Sequence, residues 1–242
     1  RAGLVWAASG ETVDRSILVR SDRGGVPGSW SEAGHGLPHG FIAGLSLDGA
    51  SDPRRRTLFV TANGDVYRSV DDGQSWSQVL GGAECRVTAV ERDGHVVYAG
   101  GERGVWRSSR GGESGSWAVA SAKEMKGDYV GRLRDFQWEG VHDIEVDPGR
   151  PGRVYVTAYG MGRGLYRSDD RGATWKKLRG SDYARAVAVD PAGPIYLTTS
   201  PACRAGGAAE GSDGILRSDD GGRTWASLAD GLAWPFGGPI AI

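Results

Sequence analysis

Ser218-Asp219-Asp220-Gly221-Gly222-Arg223-Thr224-Trp225 decides how this chain is read. The same pattern stands at Ser168-Asp169-Asp170-Arg171-Gly172-Ala173-Thr174-Trp175 and at Ser69-Val70-Asp71-Asp72-Gly73-Gln74-Ser75-Trp76. Two looser copies run from Ser21-Asp22-Arg23-Gly24-Gly25 to Ser29-Trp30 and from Ser108-Ser109-Arg110-Gly111-Gly112 to Ser116-Trp117. The shared form is S-x-D-x-G-x-[ST]-W. An Arg behind an aromatic or aliphatic residue precedes the Ser: Tyr67-Arg68, Trp106-Arg107, Tyr166-Arg167 and Leu216-Arg217.

Each residue type in the pattern has a structural use. An Asp carboxylate accepts hydrogen bonds from nearby main-chain N–H groups, and Gly supplies positive φ, so the stretch reads as a hairpin turn. Ser or Thr adds a local side-chain bond to the backbone. Trp then opens the next strand and can bury a large apolar surface against a neighbouring sheet. Asp71, Trp76, Asp170, Trp175, Asp220 and Trp225 are therefore read as structural. A calcium loop would need further ligands at fixed spacing and a closing Glu, which are missing. Calcium is the lesser reading, and no metal ligand is assigned.

The totals suit a turn-rich all-β protein. The 242 residues carry a net charge of −1, with 41 Gly, nine Trp and two Met. That length is enough for one sizeable core. A neutral balance gives no general reason to expect nucleic acid or an anionic membrane as partner. No apolar run approaches the roughly 20 residues that span a bilayer. Cys85 and Cys203 allow one disulfide, but they lie in different repeats and read first as thiols; neither sits in a Cys/His cluster, so zinc is unsupported.

The pattern also spaces the chain. Its Trp residues stand at 30, 76, 117, 175 and 225, steps of 46, 41, 58 and 50. A period near 50 with four strand-like runs per repeat means propeller blades. With strands A to D numbered from the axis outward, blades fall at roughly 1–36, 37–82, 83–122, 141–180 and 181–232. An insertion occupies 121–140, and 236–242 begin a further or closing blade. The first blade opens on strand B and has no strand A. The turn of the third copy, which lacks the Asp, is expected to be looser. The ends read as cut mid-blade, which favours part of a longer propeller over a five-bladed ring closed by its last strand.

The repeated stretch resembles the Asp-box, or BNR repeat, of β-propeller proteins. That family includes sialidases, xyloglucan-cleaving hydrolases, sortilin-type receptors and a photosystem II assembly factor. The resemblance implies an all-β propeller of four-stranded antiparallel blades, about five of them visible, in a closed ring or in part of a six- to seven-bladed one. It further implies an extracellular or periplasmic setting.

Asp-boxes are C–D turns, so function is expected at the opposite ends of the sheets, in the D–A loops, the B–C loops and the starts of the A strands. The largest D–A loop, 121–140, brings Tyr129, Arg132, Arg134 and Trp138 near His142, a set suited to sugar binding. Carboxylates at Asp143, Asp135 and Glu139 are the candidate catalytic groups, because a glycosidase needs two about 5 to 9.5 Å apart. The Arg-Ile-Pro segment typical of the sialidases has no counterpart here. The Asp-Ile-Gly-Gly-like segment of the xyloglucan hydrolases matches only through Asp143-Ile144. Gly160-Met161-Gly162-Arg163-Gly164 lies between two strands and is not a phosphate loop. The expectation is a binding or scaffold module for a glycan or a protein, with a glycoside hydrolase as the alternative. No cofactor is expected, and the chain could belong to a larger assembly.

Overall fold

A computed structural model describes residues 4–10, 16–48, 56–91, 94–126, 139–160, 162–180, 183–200, 214–228, 230 and 240. Cys203, Tyr129, Arg132, Arg134, Asp135 and Trp138 lie outside these residues.

The chain forms one three-stranded and four four-stranded sheets, each an antiparallel meander. The first holds β1 (Val5–Gly10), β2 (Ser16–Ser21) and β3 (Trp30–Glu32). The second holds β4 (Ile42–Leu47), β5 (Leu58–Ala62), β6 (Asp65–Ser69) and β7 (Ser77–Leu80). The third holds β8 (Cys85–Val90), β9 (Val97–Gly101), β10 (Gly104–Ser108) and β11 (Trp117–Val119). The fourth holds β12 (Gly140–Val146), β13 (Val154–Tyr159), β14 (Gly164–Ser168) and β15 (Lys176–Gly180). The fifth holds β16 (Ala184–Val189), β17 (Ile195–Thr199), β18 (Ile215–Ser218) and β19 (Ala226–Ser227). Among the described residues the first sheet has three strands, in the order β1-β2-β3.

Two compact units make up the chain: residues 1–99 with 107–118, and residues 100–106 with 119–242. The first contains a core of Leu18, Ala33, Leu58, Val60, Ala62 and Trp76. The second contains Tyr155, Leu165, Val187, Val189, Ile195, Leu197 and Leu216. Strands β5, β9 and β13 are buried along their whole length. That is why they read as continuous apolar runs: a blade's second strand has a neighbouring sheet on each face.

The box turns repeat one hydrogen-bond pattern. The hydroxyls of Ser69, Ser168 and Ser218 accept the N–H of Gly73, Gly172 and Gly222 at 2.9, 2.7 and 2.8 Å. They donate to Asp71, Asp170 and Asp220 at 2.8, 2.7 and 2.9 Å. Each Asp accepts the N–H and the hydroxyl of the residue four positions on: Ser75, Thr174 or Thr224. The hydrogen bonds from Thr174 hold the Asp170 carboxyl down at about 2, and those from Thr224 hold Asp220 well below the usual carboxylate range. Two consecutive residues take positive φ in every copy: Asp72-Gly73, Arg171-Gly172 and Gly221-Gly222 in the full boxes, Gly24-Gly25 and Gly111-Gly112 in the others.

The third copy is not looser, contrary to expectation. The Ser108 hydroxyl accepts the Gly112 N–H at 3.0 Å and meets the Ser116 hydroxyl at 2.6 Å. A hydroxyl stands in for the missing carboxylate. The first copy does the same with Ser21 and Ser29.

The preamble arginines stitch consecutive sheets. Arg20 pairs with Asp72 in the next sheet's box at 2.8 Å. Arg167 donates to the Gly221 carbonyl at 3.1 Å. Cys85 is a free, buried thiol, which burial pushes up to about 12.

Candidate functional site

In an antiparallel meander the second-to-third strand loop and the start of the first strand share one end of the sheet. In the second unit this end gathers polar and aromatic side chains from β12, β13 and β16.

Strands β12 and β16 each carry a bulge near their start, between Val141 and Asp143 and between Ala184 and Ala186. The same bulge occurs in β4, between Ile42 and Gly44. The extra residue is left out of the ladder, and here it is His142 or Arg185. The Thr157 hydroxyl donates to the Arg185 carbonyl at 2.9 Å, as Thr61 does to the Arg86 carbonyl. His142 and Arg185 are thus equivalent positions of successive repeats.

Both lie against Tyr159, the last residue of β13. The imidazole of His142 is 4.8 Å from the Tyr159 ring, and the Tyr183 ring is 5.2 Å from it, tilted by 57°. The Arg185 guanidinium lies 4.5 Å from the Tyr159 centroid, a cation–π distance. Its Nε donates to the Ser200 hydroxyl at 2.8 Å. Tyr159 is buried, whereas His142, Tyr183 and Arg185 are half-buried.

Arg163 adds a second feature. It is 4% exposed and donates from Nε and Nη2 to the Lys126 carbonyl at 3.0 and 2.7 Å. Its Nη1 pairs with Glu139 at 3.2 Å. Lys126 and Glu139 flank 127–138, so one guanidinium ties both ends of that segment. Gly160, at φ +123°, leaves room for the pair, since a Cβ there would meet Arg163 and stand 3.2 Å from the Glu139 carboxyl.

The candidate carboxylates have separate partners. Asp143 accepts the N–H of Ile144 and of Val187, each at 2.9 Å, and so joins β12 to β16. Burial nevertheless pushes its carboxyl up to about 6, against those two hydrogen bonds. Glu145, two residues on and on the same face of the strand, is pushed up to about 7 by burial and by Asp143 and Asp147. Among the described residues no group of three or more His, Cys, Asp or Glu is placed to hold a metal ion.

Raised carboxyl values have a definite sign. The folded chain binds these protons more tightly than an unfolded chain, whose Glu titrates near 4.3. Their stabilising contribution is complete below about pH 4 and is lost as pH rises through about 6 to 7. Glu145→Gln is expected to stabilise the protein at pH 8 by about 1–2 kcal/mol and to give no gain at pH 4. Thermal melts of the two proteins at both pH values check this.

The strands, sheets and box turns define the class: this is an all-β chain of the β-propeller fold, built on BNR/Asp-box repeats. A family model described as BNR/Asp-box repeat matches residues 166–177. The chain is similar to a xyloglucanase of a Paenibacillus species, 26% identical over 220 residues, covering 89% of this chain and 20% of that protein. It thus spans about a fifth of the length of the curated relative it matches. Among solved structures it is similar to an ancestral GH74 enzyme, at 15% identity and TM-score 0.68, covering 97% of this chain and 32% of the other. It is also similar to a chain of a nidogen/laminin complex, at 12% identity and TM-score 0.64, covering 99% and 81%. Likeness at such identities carries the fold alone, and an enzyme and a protein complex share it.

Tyr159, Tyr183, Arg185, Arg163 and Glu145 were not singled out in the sequence as site residues. Aligning the repeats on their A strands would have found Arg185, because it occupies the position of His142. A lone Arg among three Gly was the signal for Arg163.

Proposed function

We propose that this chain is an extracytoplasmic glycan-binding module that engages its ligand through the end of the second unit bearing residues 121–140, His142, Tyr183 and Arg185. The observation that carries this reading is the cluster around Tyr159 at the loop ends of the sheets: two further rings and a guanidinium, the latter bonded to the Ser200 hydroxyl. Aromatic faces suit the apolar faces of pyranose rings, and adjacent polar groups suit their hydroxyls. The similarity to a xyloglucanase supports a glycan over other ligands, and the Asp-box resemblance supports a setting outside the cytoplasm. Asp143 then serves to join two strands, since both of its oxygens accept main-chain N–H groups.

A glycan array paired with a hydrolysis assay tests this. Tyr183→Ala is expected to weaken binding about tenfold, the scale of one well-packed aromatic contact, with the melting temperature little changed. Undiminished binding in that variant would move the site elsewhere. A protein partner captured with no glycan bound would replace the reading.

The proton affinity of Glu145 beside Asp143 favours a second reading, a glycoside hydrolase of the Asp-box type. Xyloglucan cleavage abolished by both Asp143→Asn and Glu145→Gln, in proteins that remain folded, would establish it over the first.

A further inference from the structure

We infer that Arg185 is a carboxylate-binding residue and that the ligand of this surface is an acidic glycan, one whose pyranose rings carry carboxylates. The inference rests on the glycan-binding reading above and narrows its ligand class.

Arg185 is half-buried, and five other described arginines have a carboxylate partner. Arg20 is matched by Asp72, Arg153 and Arg167 by Asp169, Arg163 by Glu139 and Arg217 by Asp219. Among the described residues Arg185 has no carboxylate partner, and only its Nε has a hydrogen-bond acceptor, the Ser200 hydroxyl. The nearby carboxylates are already engaged, Glu139 with Arg163 and Asp143 with two main-chain N–H groups. The terminal nitrogens of Arg185 therefore carry unspent donors and an uncompensated charge.

The same guanidinium is held in place. Its Cζ lies 4.5 Å from the Tyr159 ring centroid and its Nε donates to the Ser200 hydroxyl at 2.8 Å, two contacts that restrain the guanidinium. A planar fork whose orientation is fixed in advance loses little freedom when it pairs with a carboxylate through two parallel N–H···O bonds. Half-burial strengthens that pairing relative to a solvated surface arginine. Tyr183 and His142 lie on the same Tyr159 ring as the guanidinium. A ligand that offers a ring face together with a carboxylate satisfies both features, and a uronic-acid sugar does so within one residue.

Calorimetric titration with a short oligogalacturonate, its carboxyl-reduced counterpart and a short polyglutamate peptide tests the assignment. The oligogalacturonate is expected to bind at least about tenfold more tightly than the reduced form, the scale of a hydrogen bond to a charged group. Arg185→Gln should abolish that preference, and Arg185→Lys should restore part of it by returning the charge without the fork. Ser200→Ala should weaken the preference with little effect on the melting temperature, because it frees the fork without removing it. A preference that survives Arg185→Gln, or equal binding of the two saccharides, overturns the inference while leaving a glycan module standing. Binding of the peptide alone, with neither saccharide bound, overturns both.

Discussion

Trp76→Ala is expected to destabilise the first unit by about 3–5 kcal/mol, the range for removing a buried Trp from a core. Trp76 is 6% exposed and sits in the core with Leu18, Leu58 and Val60. Its indole N–H also donates to the Ala33 carbonyl at 2.8 Å, which links the second sheet's box to the outer strand of the first. Alanine would leave a cavity and an unsatisfied carbonyl together. Trp30 is the contrast. It holds the same place in the first copy but is 39% exposed, and its N–H returns to Gly25 within its own turn. Trp30→Ala should cost about 1 kcal/mol or less, as surface substitutions usually do. Urea unfolding of both variants checks the difference, and equal losses would mean that the stitch between sheets contributes little. Trp175, which donates to the Ala120 carbonyl, is the equivalent position in the second unit.

Gly112→Ala is expected to cost about 2–4 kcal/mol, from overpacking together with a strained backbone. Gly112 has φ +71°, and a Cβ there would meet the ring of Phe59, with Cζ at 2.6 Å. Phe59 is fully buried, so making room for the methyl requires the packing around it to shift. Gly115 shares the positive φ, at +73°, but a Cβ there would meet nothing within 4 Å. Gly115→Ala should therefore cost only the backbone part, about 1 kcal/mol. The difference between the two melting curves isolates the close approach of the box to the strand of the preceding sheet. Two variants of equal stability would show that Phe59 yields to the added methyl.

These two sites explain why the fold was so legible. The box is a local device: its Asp, Ser and Gly satisfy one another within eight residues, as the bonds among Ser168, Asp170, Gly172 and Thr174 show. Local chemistry survives in the sequence as a pattern, so counting boxes gave the strands. The tight turn of the third copy was missed because Ser116 lies eight residues from Ser108, outside the spacing of the full box.

The proposed binding surface obeys another rule. Tyr159, Tyr183, Arg185 and Ser200 come from the ends of strands β13 and β17 and the starts of their neighbours, up to 41 residues apart between Tyr159 and Ser200. No local pattern marks them, because each contact depends on how two sheets meet. Asp143 shows the same division. Its place at the start of a strand was readable, but its bond to the Val187 N–H exists only because β16 lies beside β12.

By itself the sequence determined the repeat, the strand order and the turns, since all of these follow from residues that contact near neighbours in the chain. Only the tertiary structure decided that Arg163 ties the two ends flanking 127–138, that Arg185 lies over Tyr159 with no carboxylate partner among the described residues, and that burial raises the carboxyls of Asp143 and Glu145. Burial and charge at those positions are sums over side chains that folding alone brings together.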